Sequence, residues 1–142
     1  MPILTEVRFA HENGALADTL ARLPECTVSV IQETSTDPEG KLYFMEFECE
    51  ADDIEAVLEA DDTVSQVRPM PGFEQQDLWG VAFAPGATLM APRVTSQDGF
   101  VLEAHSTAVP DWDIRGWHER WLLPDRGALQ DIWQYAREAG FV

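Results

Sequence analysis

Lysine is nearly missing from this chain. Lys41 is the only one, every other base is an arginine, and together they number 9 against 26 aspartates and glutamates. The formal net charge is -17. Such a surface excludes direct nucleic-acid binding by this chain alone, because that binding begins with cations meeting phosphates. Self-repulsion at this charge density destabilises a compact state at low ionic strength, and salt relieves it. Two readings follow: a protein suited to molar salt, which the shortage of lysine favours, or an acidic protein that meets a basic partner.

Cysteine is also scarce. Cys26 and Cys49 form no C-x-x-C pattern and fall in separate expected strands, which suggests buried thiols. No apolar run reaches membrane-spanning length, and the amino terminus, MPILTEVRFA, lacks the basic region and apolar core of a signal peptide. A cytoplasmic protein with no membrane contact is expected. Nucleotide-binding glycine motifs and the G-x-S-x-G nucleophile signature are absent. The three histidines, His11, His105 and His118, have no metal-ligand spacing, although His105 and His118 could meet across neighbouring strands. The pairs Asp52-Asp53 and Asp61-Asp62 flank an expected helix and suit solvated helix ends. No catalytic residue, metal or cofactor is assigned, and the chain is not expected to be an enzyme.

What is present is apolar and periodic. The 142 residues are 45% hydrophobic, enough for one packed core. Alternation and helical spacing over residues 1–71 give a strand at 2–10, a helix at 15–23 capped by Asn13, a strand at 26–33, a strand at 41–50, a helix opened by Asp52-Asp53, and a strand at 63–70. The Asp37-Pro38-Glu39-Gly40 turn joins the two middle strands as a hairpin. That βαββαβ order predicts a ferredoxin-like or ACT-like subdomain in an α+β protein. Pro69, Pro71 and Gly72 then mark a crossover. Residues 72–142 predict an antiparallel meander with strands at 79–84, 87–91, 100–106 and 117–123, closed by one helix and packed with the first part as one unit. Such a sheet, with helices on one side, leaves its other face open to the second half of the chain or to a second copy, and a homodimer is the favoured expectation.

The densest signal is Gly116 to Phe141. Trp117, Glu119, Trp121 and Leu123 share one face of a strand, with His118, Arg120 and Leu122 on the other. Pro124 ends the strand, Asp125 caps a helix, Gly140 stops it, and Leu129, Ile132, Trp133 and Ala136 form the expected buried stripe. The tryptophans have two readings, ordinary core or the lining of a small-molecule pocket formed by Trp79, Trp112, Trp117, Trp121 and Trp133. Glu119 likewise has two. It lies toward a sheet edge and reaches water, or it is the polar anchor of an apolar pocket.

The run Val67-Arg68-Pro69-Met70-Pro71-Gly72-Phe73, then Leu78-Trp79-Gly80, Pro92-Arg93-Val94, Gly99 to Ala104 and Leu123-Pro124-Asp125-Arg126 with Leu129, together with Glu6-Val7-Arg8-Phe9 and Ala15-Leu16, resembles the amino-terminal domain of haloarchaeal bacterio-opsin activator-type helix-turn-helix transcriptional regulators. The resemblance implies a signal-receiving domain with an unidentified small-molecule effector, and DNA contact only through a helix-turn-helix module that this chain is expected to lack. The alternatives are a dimerisation or protein-interaction module with no ligand and, less favoured, a small enzyme. The resemblance carries no set of functional residues.

Overall fold

The computed structural model describes residues 1–31, 42–49, 53–69, 77–108 and 115–142. In chain order the elements are β1 (Ile3–Phe9), α1 (Ala17–Arg22), β2 (Thr27–Val30), β3 (Tyr43–Glu48), α2 (Ile54–Glu59), β4 (Val64–Pro69), β5 (Asp77–Phe83), α3 (Ala91–Ser96), β6 (Phe100–Ala108), β7 (Arg115–Leu123) and α4 (Arg126–Ala139). An α+β protein is what results. The hairpin turn at 37–40 and the crossover at 70–72 lie outside the described residues.

The seven strands among the described residues join one sheet in the order β1-β7-β6-β2-β3-β5-β4, and the pairings are antiparallel. This order differs from the ferredoxin-like expectation, in which β1 would lie between β3 and β4. Here β1 pairs with β7, and β5 lies between β3 and β4. Strands from 1–71 and from 72–142 are therefore interleaved across the sheet, with β7 and β6 side by side and β2 and β3 side by side. Pairing partners are long-range choices, so the order of elements along the chain does not determine them. One local feature helps to explain the choice of β7. At Gly116 a β-carbon would collide with the Phe9 carbonyl and with Ala10, so only glycine lets the end of β1 approach β7 this closely.

The expected meander is likewise corrected. β6 and β7 are neighbours, but β5 is separated from them by β2 and β3. Residues 91–96, at the close of the expected strand 87–91, form a helix; Thr88 keeps only an isolated bridge to Gly14. Pro92 suits a first helical turn, where its missing N–H costs nothing, and Met90 and Val94 are buried four residues apart.

One core unites sheet and helices. Leu16 and Leu20, Ile54 and Leu58, Met90 and Val94, and Ala128 and Ile132 pack from the helical side on inward strand residues such as Val28, Met45, Val81, Trp117 and Trp121. No described helix is long and apolar enough to cross a membrane.

Several local expectations are revised. Cys26 and Cys49 are joined by a disulfide, not left as thiols. The β2–β3 register pairs Thr27 with Glu48, and one further step sets the two cysteines opposite each other. Asn13 does not cap α1; its side chain donates to the Gly86 carbonyl. The α1 entrance is served from a distance by Asp61. This carboxylate is buried, not solvated, and accepts from the backbone N–H and hydroxyl of both Thr19 and Thr63. Arg115 serves the other end of α1, donating to the carbonyls of Leu20, Leu23 and Cys26. Asp125 and Gly140 do cap α4 as their chemistry suggests: Asp125 accepts from Ala128 N–H, and Gly140 takes φ 91°.

Candidate functional site

The inner face of β7 carries Trp117, Glu119 and Trp121 side by side. All three are buried, as strict strand alternation requires once one face is covered. Glu119 sits between Val7 of β1 and Ala104 of β6, its cross-strand neighbours. It is only 7% exposed, so the reading in which it reaches water at a sheet edge is set aside.

A cavity of about 300 Å³ opens over this face. Trp117 and Glu119 line it from β7, Val101 and Ala104 from β6, Tyr43 and Met45 from β3, Phe83 from β5, and Met90 and Phe141 from the helical side. The lining is mainly apolar and aromatic. Tyr43 and Phe83 meet with ring centroids 5.3 Å apart. At the rim, Phe141 packs edge-on against Phe9 at 5.5 Å, and Val142 pairs with Ala10 through two backbone hydrogen bonds. His11 ties this corner down. Its Nδ1 accepts from the Asn13 N–H, so Nε2 carries the proton and donates to the Ala139 carbonyl at 2.6 Å.

The polar groups of the wall are few, and most are already committed. The Trp117 indole N–H donates to the Ala15 carbonyl at 3.0 Å. The Arg115 guanidinium is spent on the carbonyls that end α1 and on Ser106, and burial lowers its pKa. Glu119 is different. Among the described residues its single hydrogen bond comes from the Trp121 indole N–H to Oε1, at 2.8 Å. Burial pushes its carboxyl up from 4.5 to about 7, and the Trp121 bond only partly offsets this. Burial, and secondarily the charge of Glu119, also raise the pKa of the Tyr43 phenol.

Of the residues proposed from the sequence, Trp117 and Glu119 line the cavity. Trp121 lies behind Glu119 and orients it. Trp133 does not join them. It is 58% exposed and borders a separate groove of about 150 Å³ with Val7, Trp121 and Ile132. On α4 it stands about 100° round the axis from Ile132, outside the stripe that Ala128 and Ile132 bury. Trp79 packs against the core from β5 and does not line the cavity. Trp112 is outside the described residues.

Sequence reasoning did not place Tyr43, His11 or Arg115 at the cavity. Tyr43 was legible as an inward β3 residue, but its meeting with β7 depends on the strand order. On the opposite face of the sheet, His105 and His118 do come together across β6 and β7, with Nε2 and Nδ1 3.2 Å apart. Among the described residues no group of three or more histidines, cysteines and carboxylates is arranged to hold a metal ion.

No protein-family model, curated protein or solved structure matches the chain.

Proposed function

We propose that this chain is a signal-receiving domain that takes a small, largely apolar molecule into the cavity over β7, with Glu119 as its polar anchor. The observation that carries the reading is the state of Glu119: buried at the wall of an apolar cavity, with one hydrogen bond among the described residues. Ionised and unpaired, an acid in that position would cost roughly several kcal/mol, so it holds its proton to about pH 7 and is ready to pair with an arriving donor. The cavity is at the small end of the ligand-site range, which suits a compact effector. The resemblance to bacterio-opsin activator-type regulators adds the context, a domain that passes an effector's arrival to a transcription regulator. DNA would then be met by a helix-turn-helix module and not by this acidic surface.

The test is native mass spectrometry after exposure to a small-molecule extract of host cells. The wild type retains a ligand mass that Ala104→Phe, which fills the cavity opposite Glu119, does not. Equal spectra from two folded proteins would reject the pocket.

A second reading, association between copies, has its own observation. Leu4, Leu122 and Phe100 form a cross-strand row on the outer face of β1, β7 and β6, and Leu4 and Phe100 are 56% and 64% exposed. We propose this row as the homodimer contact. Sedimentation velocity of Phe100→Glu tests it, with a shift toward monomer expected and an unchanged sedimentation coefficient rejecting it.

A further inference from the structure

The charges around the cavity also limit what can enter it. Among the described residues its other ionisable wall groups are His11, Tyr43 and Arg115. Arg115 could have served as counter-ion to an anion, but its N–H groups are turned to the Leu20, Leu23 and Cys26 carbonyls at 2.7–3.0 Å. The His11 ring is held at both nitrogens by Asn13 and Ala139. Among the described residues a carboxylate or phosphate would therefore find no free cation in the wall, and would face Glu119. A ligand with a donor meets the opposite situation. Glu119 has a second oxygen with no partner among the described residues, and aromatic side chains surround it. Rings and a carboxylate together recognise an ammonium group with an apolar stem. The field of a chain at net charge -17 draws cations toward it, and a desolvated pair inside the cavity is screened far less by salt than a surface pair.

We propose that the cavity selects a hydrophobic amine, its ammonium group paired with the carboxylate of Glu119 and its carbon stem laid among Tyr43, Phe83 and Trp117. This rests on the pocket reading above and goes beyond it by naming the ligand's chemistry. Proton balance follows. In the empty protein Glu119 holds its proton up to about pH 7. An ammonium ion that pairs with the carboxylate must release that proton to solvent when binding below this pH. Amine affinity then falls as pH drops below 7, by about tenfold per unit, the slope for one displaced proton. Neither Tyr43 nor Arg115 reproduces this slope, since phenol and guanidinium groups titrate far above neutral pH. The Glu119→Gln variant assigns the slope to this carboxyl.

The experiment is a charge series on one skeleton: 4-phenylbutylamine, 4-phenylbutanol and 4-phenylbutyrate, titrated into the protein from pH 5 to pH 8 with tryptophan fluorescence and protein NMR shifts as readouts. At pH 8 the amine binds about tenfold or more tighter than the alcohol, in keeping with one charge-assisted contact, and the butyrate binds weakest. The preference for amine over alcohol shrinks as pH falls, and in Glu119→Gln it is lost. The pH series on the wild type gives the answer even if that variant folds poorly. Equal binding of amine and alcohol, or an amine affinity flat with pH, would overturn the amine assignment and leave the pocket standing. Tightest binding by the butyrate would overturn it in the other direction. If none of the three binds, the pocket reading itself falls, and this inference with it.

Discussion

Glu119 couples pocket and fold through its proton. The unfolded chain ionises this carboxyl near 4.5, whereas the folded protein keeps it protonated to about pH 7. Between those values the unfolded state binds fewer protons, so the stability contributed by the neutral buried acid is complete below pH 4.5 and declines as pH rises through 7. The shift corresponds to ~3 kcal/mol at most. Glu119→Gln removes the titration while its amide oxygen can still accept from Trp121. The expected result is a variant about as stable as wild type at pH 4 and more stable at pH 8 by up to ~3 kcal/mol, read from urea denaturation at each pH. Parallel pH profiles would show that Glu119 is solvated. The position of Glu119 beside Trp117 and Trp121 was legible from alternation alone. Its isolation was not, because that depends on Arg115 and His11 being occupied elsewhere by backbone groups distant in sequence.

Elements hold together here through a few buried links that no local pattern announces. Asp61 accepts four hydrogen bonds and joins α1 to the turn before β4. Asp61→Ala strands those donors in the interior, and a loss of roughly 3 kcal/mol is expected, visible as a lower denaturation midpoint. A change within 0.5 kcal/mol would mean that water replaces the carboxylate freely, which is the behaviour of an ordinary surface site. The disulfide between Cys26 and Cys49 closes a loop of sequence separation 23. By loop-closure entropy its reduction costs ~3 kcal/mol, measured by melting with and without a thiol reductant. An unchanged melt, with mass spectrometry showing both sulfurs reduced, would contradict it.

Element positions were readable because hydrophobic period is local. Ten of the elements fall where alternation or helical spacing placed them, and α3 was hidden because Pro92 stops a strand as readily as it starts a helix. Partners were not readable. Both Asp61, taken for a solvated helix end, and the cysteine pair acquire their roles only when distant segments are set in register.

For the whole molecule, charge is the controlling quantity. The ion pair of Arg120 with Glu103 is long, 3.8 Å, and exposed, so it relieves little of the repulsion. Stability is therefore expected to climb from low to molar sodium chloride, through screening and the salting of apolar surface into the core. Thermal melts across a salt series check this, and a flat midpoint would argue for the acidic mesophilic reading. At this scale the sheet order is what sequence reasoning misassigned. Interleaving of strands from both ends of the chain brings β3 and β5 onto the same sheet as β7, and the cavity exists only because of that interleaving.

The most direct measurement is the titration of Glu119 itself, by carboxyl carbon NMR on glutamate-labelled protein, with Glu119→Gln assigning the signal. An apparent pKa near 7 is predicted in the empty protein, and a clear fall on saturation with 4-phenylbutylamine. A carboxyl that titrates near 4.5 and ignores the amine would contradict both the burial of the acid and its service as an anchor.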